Sequence, residues 1–243
     1  MTVKEQFART EMLLGADSTQ KLAAAHVMVF GLGGVGSYVA EALARAGVGR
    51  LTLVDQDTVS VTNLNRQLCA LHSTLGQSKA QVMAARVRDI NPDCEVRPIA
   101  ARYEADSRNL FFDQPCGYIA DAIDLVSCKL DLIESAVARG IPIISALGTG
   151  NKLDASLFRV TDIAKTEGCP LARVVRKELR ARGILHHKVV FSPEPAHAAG
   201  PAGEAPPPGR RSVPASAPWV PAVAGLLMAG EIILDLTGNN HNE

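Results

Sequence analysis

Four glycines near the amino terminus are the first residues whose spacing indicates chemistry. Gly31, Gly33 and Gly36 fit the G-x-G-x-x-G pattern in GLGGVG, and Gly34 adds a fourth residue without a Cβ. Such a turn lets the backbone approach a phosphate, and the helix that follows points N–H groups at the anion. Asp55 lies close to where a dinucleotide-binding unit places a carboxylate on ribose hydroxyls. The pattern predicts a nucleotide site but does not distinguish a dinucleotide from a mononucleotide.

The polar loop after this carboxylate supplies groups that suit a longer phosphate chain. The candidate ligands in it and at the start of the next helix are Asp57, Asn63, Arg66, Gln67 and Lys79. Two cations and several amides on one edge favour a triphosphate over a pyrophosphate, which the glycine turn usually satisfies. We therefore expect ATP. A nicotinamide-dependent oxidoreductase is the remote alternative, supported only by the glycines and Asp55.

Asp124 is a candidate ligand for a divalent metal ion. It follows an apolar run at 118–122 in the segment ADAIDLVSCK, and a carboxylate at a strand tip can hold Mg²⁺ against phosphate oxygens. Asp is also a common N-cap residue, and a predicted helix follows. We favour the metal because Arg66 and Lys79 should converge on the same edge, although the pattern fits both roles.

Positive charge is concentrated in one part of the second half. Between residues 173 and 188, six Lys or Arg residues face a single acid, Glu178. The candidate contacts to nucleic acid are Arg173, Arg176, Lys177 and Arg180. A solvated helix face explains the same pattern equally well. The amino-terminal arm carries Arg9, and its simplest interpretation is also a solvated face.

The elements that must position these residues alternate between strand and helix. Strands are predicted at 27–30, 51–54, 94–99, 118–122, 141–146 and 157–161, and helices at 37–46, 78–90 and 130–138, the second with Ser78 as a possible cap. This alternation predicts a Rossmann-like, doubly wound, mostly parallel sheet with helices on both faces. Ligands of such sheets bind beyond the carboxyl ends of the strands, where the glycines, Asp55 and Asp124 fall.

Composition limits the compartment and the partners. The 243 residues include 25 Lys plus Arg and 25 Asp plus Glu, so net charge predicts no partner and any nucleic-acid surface must be local. Five scattered cysteines without a C-x-x-C pair do not form a disulfide framework. We expect a cytoplasmic protein, with no secretion signal at its amino terminus.

The chain is most simply one domain over residues 1–243. Its predicted parts are an arm at 1–24, a nucleotide-binding core at 25–150, a basic extension at 151–192, a mobile loop at 193–218 and a closing helix at 219–238. The loop holds eight of the fourteen prolines. The apolar segment at 219–236 is long enough to span a membrane, but Glu231 and Asp235 lie inside it, so we predict a buried or groove-packed helix and no membrane.

Several motifs together resemble one family. GLGGVG, LVDQDTVSVTNLNRQ, Lys79 and DAIDLVSCK match, in order and spacing, the ubiquitin-activating-enzyme-like family of adenylating enzymes, which includes the bacterial activators of sulfur-carrier proteins. VPAVAGLLMAGEIILDLTG resembles the closing helix of that family. The resemblance therefore covers essentially the whole chain.

This resemblance implies specific roles for the matching residues. Asp55 would bind the ATP ribose and Asp124 would hold magnesium. The triphosphate would be held by Asn63, Arg66 and Lys79. Arg9, in FARTEMLLG, matches the arginine that family members insert into the active site of the other subunit, which implies a homodimer and replaces the solvated-face interpretation.

Within the family, the segments from GTGNKLDASLFRV to RARGI and KVVFSPEP resemble the tRNA threonylcarbamoyladenosine dehydratases. That implies a modified tRNA substrate, adenylation of its carboxylate by ATP, ring closure and release of AMP and pyrophosphate. The chain lacks the paired C-x-x-C motifs of a structural zinc, so no zinc is expected and a sulfur-carrier adenylyltransferase is only the alternative. The loop at 193–218 has no cysteine for sulfur relay, which leaves any sulfur-relay or redox partner unidentified.

Overall fold

The computed structural model describes residues 5–201 and 214–239, within which the chain forms seven strands and eight α-helices. The strands are β1 (His26–Phe30), β2 (Arg50–Val54), β3 (Glu95–Ile99), β4 (Tyr118–Asp121), β5 (Ile143–Ala146), β6 (Arg159–Asp162) and β7 (Lys188–Phe191). The helices are α1 (Ala8–Leu14), α2 (Ala16–Ala24), α3 (Gly36–Ala46), α4 (Lys79–Ile90), α5 (Arg108–Phe111), α6 (Val126–Ala138), α7 (Pro170–Ala181) and α8 (Trp219–Thr237).

The strands form one sheet in the order β3-β2-β1-β4-β5-β7-β6. Every neighbouring pair is parallel except β6 and β7, which are antiparallel. The chain winds outward from β1 in both directions, which makes the gap between β1 and β4 a topological switch point. The predicted doubly wound, mostly parallel sheet is confirmed.

Helices cover both faces of the sheet because its central strands are apolar on both sides. In β1, Val27 and Val29 belong to one buried cluster, whereas Met28 and Phe30 belong to the other. This separation follows from the two-residue period of a strand. The first cluster packs beneath α2, α3, α4 and α8, and the second beneath α5, α6 and α7. Both layers hold the carboxyl ends of the strands in place.

Several predicted element boundaries differ from those in the structure. The predicted helix at 130–138 starts four residues earlier, at Val126, and the predicted strand at 141–146 starts only at Ile143, after a proline. Ser78 occupies the N-cap position of α4 but makes no cap hydrogen bond with its side chain. Its Oγ is instead buried without a hydrogen-bond partner among the described residues. Ser78 therefore occupies the predicted cap position, but its side chain does not form a cap hydrogen bond.

The apolar helix α8 closes the fold. It packs on α3 so closely that a Cβ at Gly225 would lie 2.5 Å from the carbonyl oxygen of Val35. Its acids Glu231 and Asp235 each accept a hydrogen bond from Lys188 Nζ at 2.7 Å. Among the described helices, α8 alone has the length and hydropathy of a membrane span, but half of that window is buried in the protein. The contacts agree with the predicted groove-packed helix.

The described ends of the predicted 193–218 loop meet at Asn151, whereas residues 202–213 lie outside the described part of the chain. Asn151 N donates to Ala215 O and Asn151 O accepts from His197 N, both at 2.8 Å. The Asn151 side chain also accepts from Ala215 N at 2.8 Å, and Asn65 Nδ2 donates to Ser216 O at 3.0 Å. These bonds connect the start of α8 to the polar loop of the candidate site. The division into an arm, core, extension, loop and closing helix stays a prediction.

Candidate nucleotide-binding site

The candidate site lies at the switch point, on the edge formed by the carboxyl ends of β1, β2 and β4. The turn from β1 to α3 contains the glycines, and the loop after β2 begins at Asp55. The turn after β4 contains Asp124. Parallel strands therefore bring three distant segments to one edge.

The glycine turn is compact because neighbouring backbone occupies the space of side chains. A Cβ at Gly36 would lie 1.8 Å from Gly31 O, and a Cβ at Gly31 would lie 2.7 Å from Ala122 O. Gly31 also has a φ of 84°, a conformation that favours glycine. α3 begins at Gly36 without a side-chain cap on its N-cap residue, Val35. The turn thus presents the amino end of a helix, which attracts phosphate.

Asp55 is held rigidly below this turn. Its carboxylate accepts hydrogen bonds from Leu32 N at 2.6 Å and Asp57 N at 2.8 Å. Burial raises the pKa of Asp55 above its usual range, while Lys79 and the two N–H donors partly offset this rise. The geometry supports the predicted contact with ribose hydroxyls, since a carboxylate fixed by N–H donors has a defined orientation.

Lys79 and Asp57 form an ion pair on one side of the site. Lys79 is only 5% exposed, and its Nζ lies 3.0 Å from Asp57 Oδ2. The backbone joins them as well, since Lys79 N donates to Asp57 O at 3.0 Å. Burying an ammonium group is costly unless it is paired, so the ion pair with Asp57 offsets part of the cost of burying Lys79.

The polar loop places its side chains against the glycines. A Cβ at Gly34 would lie 3.5 Å from Arg66 Cγ, and one at Gly33 would lie 3.7 Å from Gln67 Nε2. Arg66 Nη1 donates to Thr62 O at 2.9 Å. Asn63 is buried at the end of a 3-10 turn, Val61–Asn63, where its Oδ1 accepts from the backbone of Ser60. These predicted residues thus share one surface with the glycine turn.

Asp124 is exposed in the turn that follows β4. α6 has Leu125 as its N-cap, so Asp124 stands one residue before the cap. A Cβ at Gly31 would lie 3.3 Å from Ile123 N, which places this turn directly against the glycine turn. No cluster of three or more His, Cys, Asp or Glu residues able to hold a metal occurs within residues 5–201 and 214–239. Asp124 nevertheless fits Mg²⁺, which commonly takes one or two carboxylates together with phosphates and water.

Arg9 is not brought to the site of its own chain. The neighbouring Phe7 ring packs 3.5 Å from the Cβ position of Gly47, just past the carboxyl end of α3. The glycine turn lies at the other end of this helix of 11 residues, roughly 16 Å away. Arg9 itself is exposed.

Helix α7 presents its basic residues on its outer face. Arg173, Lys177 and Arg180 are exposed, whereas Arg176 is half-buried and donates through Nη1 to Thr166 O at 2.6 Å. The helix begins beside the site edge, because Cys169 Sγ lies 4.0 Å from the Cβ position of Gly148, just after β5. Its basic face therefore runs down from the nucleotide edge.

The cysteines near these elements are packed in the core. Burial raises the pKa of the Cys69 thiol to about 11, so the group stays protonated and unreactive at neutral pH. Cys169 is buried and accepts a hydrogen bond from Ala172 N at the start of α7. Both positions agree with the structural role expected for small apolar residues.

Comparison with known proteins identifies the family. The model of the ThiF family matches residues 7–243. The chain belongs to the ThiF family. The resemblance to the adenylating enzymes is thereby confirmed. Because the match begins at residue 7 and runs to the carboxyl terminus, it includes α1, the basic extension and the closing helix.

Individual ThiF family relatives are similar over nearly their whole length. A protein of Bacillus subtilis named tRNA threonylcarbamoyladenosine dehydratase is 43% identical over 239 residues, which are 95% of this chain and 94% of the relative. The crystal structure of the Escherichia coli tRNA N6-threonylcarbamoyladenosine dehydratase with AMP has a TM-score of 0.88 at 34% identity. The crystal structure of the same E. coli enzyme with ATP has a TM-score of 0.87 at 35% identity. Each structure covers 98% of both chains.

A buried polar network of this ThiF family chain was missed in the sequence. Asp121, Lys129 and Ser145 are fully buried, Lys129 and Ser145 each donate a hydrogen bond to Asp121, and His187 joins them through Ser145. The network lies at the carboxyl end of β4, beneath Asp124. Asp121 stood in the motif DAIDLVSCK, and its only signal was a second carboxylate at the end of an apolar strand.

The raised pKa of Asp55 predicts how nucleoside binding depends on pH. The ionised carboxylate accepts hydrogen bonds from ribose hydroxyls, so binding should weaken when Asp55 becomes protonated. Because the pKa of Asp55 is raised, this should happen at a higher pH than for an exposed Asp, whose pKa is about 3.9. Adenosine is the ligand to use, because it carries no phosphate that titrates nearby. We expect its affinity, measured calorimetrically over a pH series that descends from neutrality towards the ordinary Asp pKa of about 3.9, to fall as the pH is lowered. In Asp55→Asn it should be about 10- to 100-fold lower and independent of pH. A pH-independent wild-type affinity would contradict this role for Asp55.

Proposed function

We propose that this protein is an ATP-dependent dehydratase that adenylates the carboxylate of threonylcarbamoyladenosine in tRNA and cyclises it. The end-to-end similarity to the B. subtilis dehydratase carries this proposal, since it covers 95% of this chain. The nucleotide edge supports it independently, because the glycine turn, Asp55, Arg66 and Lys79 suit a triphosphate. A sulfur-carrier adenylyltransferase and a nicotinamide-dependent oxidoreductase are less well supported.

Adenylation solves a problem of reactivity. A carboxylate is a poor electrophile until one of its oxygens becomes part of a leaving group. In the first step a substrate carboxylate oxygen attacks the α-phosphorus, the bond from that phosphorus to the bridging oxygen breaks, and pyrophosphate leaves. Asn63, Arg66 and Lys79 would orient the phosphates and offset the charge that develops on them. Asp55 would fix the ribose, and thereby the α-phosphate, at the glycine turn.

Ring closure requires no nucleophile from the protein. A nitrogen of the same substrate attacks the acyl carbon, the bond to AMP oxygen breaks, and the nitrogen loses its proton. Intramolecular attack has a large effective concentration, which explains why a buried, protonated thiol such as Cys69 is compatible with the reaction. The net change is loss of water from the nucleoside, with ATP converted to AMP and pyrophosphate.

We propose Asp124 as the protein ligand of a magnesium ion that accompanies the triphosphate. When bound, the ion would supply positive charge that offsets part of the negative charge of the phosphates. The exposed carboxylate beside the glycine turn fits this role, since Mg²⁺ keeps several waters and needs few protein ligands. Asp57, Gln67 and the four glycines complete the proposed nucleotide contacts.

The exposed face of α7 is the proposed contact for the tRNA backbone. Nearby acids are already paired: Glu167 with Arg159, and Glu178 with Arg182. The positive charge of Arg173, Lys177 and Arg180 is therefore available to phosphates. Arg176 lies at the edge of this face and would contribute through N–H groups other than those bound to Thr166. We place the protein in the cytoplasm with its proposed substrate, and not in a membrane.

We further propose a homodimer in which Arg9 enters the site of the partner. Within one chain Arg9 and the glycine turn lie toward opposite ends of α3, so an arginine on this arm would serve a neighbouring subunit more readily. On the same helix, Met12 is 87% and Leu13 is 84% exposed. Adjacent apolar side chains with such exposure suit an interface.

The activity has a direct test in exchange of pyrophosphate into ATP. We expect exchange that depends on tRNA carrying threonylcarbamoyladenosine, because only that substrate offers the carboxylate. Matched tRNA lacking the modification is the control, and mass spectrometry of the nucleosides should show loss of one water per modified residue. Arg66→Ala should lower the rate by about 100-fold. Exchange supported only by a small protein ending in Gly-Gly would instead identify a sulfur-carrier adenylyltransferase, and tight NADH binding without ATP binding an oxidoreductase.

A triple variant on α7 and a control variant at the end of this helix test the proposed tRNA surface. Replacing Arg173, Lys177 and Arg180 by Ala should weaken tRNA binding and reduce the salt slope by about 0.9 for each phosphate that is no longer neutralised. Arg182→Ala removes a single charge of the same kind, but that residue is paired with Glu134 and Glu178, so we expect little change. Affinity would be measured by filter binding over a salt series. An unchanged slope in the triple variant would assign this face to solvent.

Action of Arg9 in the partner's site predicts complementation between inactive variants. Arg9→Ala and Arg66→Ala proteins should each lose most adenylation activity and remain dimeric. Mixing them should recover up to about a quarter of the wild-type sites, because about half of the dimers are then mixed and each mixed dimer has one site with both arginines. Exchange activity is measured after subunits have been mixed and reassembled. No recovery in dimers proven to be mixed would rule out action in trans.

A further inference from the structure

A buried ion pair lies directly beneath the turn that carries Asp124. Asp121 and Lys129 both have no exposed side-chain surface, and Lys129 Nζ lies 2.5 Å from Asp121 Oδ2. The same oxygen accepts a hydrogen bond from Ser145 Oγ at 2.6 Å. His187 Nε2 lies 2.8 Å from Ser145 Oγ. The network therefore connects β4, α6, β5 and the residue before β7.

The hydrogen bonds in this network have defined directions. Burial, assisted by Lys129, lowers the pKa of His187 to about 3, so its imidazole is neutral. Because Ser145 gives its only proton to Asp121, its oxygen must accept from His187 Nε2–H. The chain of donors thus runs from His187 through Ser145 to Asp121. Lys129 and Ser145, the two donors to Asp121 Oδ2, are themselves buried in the core.

Such a network is expensive as a source of stability. Each of the two charges loses several kcal/mol of solvation free energy when it is removed from water. Apolar residues of similar volume often stabilise the fold as much or more. On one side of Asp121 the neighbouring strand offers an apolar residue, since Phe30 lies opposite it. A position that keeps an ion pair there is better explained by the orientation it imposes than by folding free energy.

The second carboxylate oxygen passes this orientation to the turn. Asp121 Oδ1 accepts a hydrogen bond from Ile123 N at 3.0 Å. Asp121 is the last residue of β4, and Asp124 follows Ile123 directly. With Oδ2 fixed by Lys129 and Ser145, the plane of the carboxylate is set, and Oδ1 sets the backbone from 122 to 124. The same turn contacts the glycine turn through Ala122 O.

We propose that Asp121 is a positioning residue, held by Lys129 and Ser145, that places the Asp124 carboxylate for the magnesium ion of the bound ATP. This inference rests on the proposed function, and specifically on the role given there to Asp124. Asp121 touches neither nucleotide nor metal. It acts through the turn, in the way that outer hydrogen bonds orient the ligands of a metal site.

The test separates metal-dependent from metal-independent ATP binding. Affinity for ATP is measured calorimetrically without tRNA, once with Mg²⁺ and once with EDTA. In Asp121→Asn an amide nitrogen can replace Oδ2 and then faces two donors, so the turn loses its orientation. We expect Mg²⁺-ATP affinity to fall about tenfold while affinity in EDTA changes less than about twofold. Ser145→Ala, which keeps the ion pair, should shift the same ratio less and serves if Asp121→Asn does not fold.

Asp235→Asn is the matched control. It makes the same chemical change in another carboxylate paired with a lysine, Lys188, at the opposite end of the strands. We expect its two ATP affinities to equal those of the wild type. Thermal unfolding of all variants shows whether each is destabilised to a comparable extent.

Three results would overturn the proposal. Wild-type enhancement by Mg²⁺ in both Asp121→Asn and Ser145→Ala would leave Asp121 without a positioning role. An equal fall in affinity with Mg²⁺ and with EDTA would make the network purely structural. If Mg²⁺ does not enhance ATP binding by the wild type, the role of Asp124 fails and this inference with it. ATP binding in EDTA and tRNA-dependent exchange would still support the proposed function in any of these cases.

Discussion

Close packing of backbone segments at the switch point determines the rest of the nucleotide edge. The carbonyl oxygen of Gly31 occupies the place of a Cβ on Gly36, and the carbonyl oxygen of Ala122 crowds the same place on Gly31. No side chain can separate the end of β1, the start of α3 and the turn after β4. These three segments therefore behave as one rigid unit, and a shift in any of them displaces the N–H groups at the start of α3 together with Asp124.

Helix α8 extends this constraint to the other side of α3. Its Gly225 brings the helix backbone against Val35 O, at the N-cap of α3. A long apolar helix is required because this face of the sheet would otherwise expose the buried cluster beneath α3. The acids that made a membrane span improbable have a structural purpose, since both bind Lys188 at the start of β7.

Local patterns in the sequence were enough to predict the mostly parallel sheet and the glycine turn between β1 and α3. They succeed because each strand, turn and helix is encoded within a few neighbouring residues, and parallel topology then brings the ends together. The Asp121 network was not predictable in this way. Ser145 lies 24 residues from Asp121, and His187 lies 42 residues from Ser145. Only the fold shows that these polar residues share a buried site.

Side-chain environment was also beyond the sequence pattern. Arg176 belongs to the basic face by spacing, yet its guanidinium is bound to Thr166. Ser78 precedes α4 as a good cap would, but its hydroxyl makes no cap bond. The partner of Arg176 lies ten residues away in the chain, and the Ser78 hydroxyl is buried without a hydrogen-bond partner among the described residues, so neither environment follows from the local sequence. The roles proposed for Arg9 and Asp124 likewise depend on geometry between segments or between subunits.

The hydrogen bonds of Asn151 have a consequence for how this protein can vary. By bonding to both His197 and Ala215, Asn151 holds together the two ends of the segment between them, whatever the sequence of that segment. The entropy of closing such a ring grows only with the logarithm of its length, at about 0.6 kcal/mol for each doubling. Insertions and deletions between the two attachment points therefore change the folding free energy little.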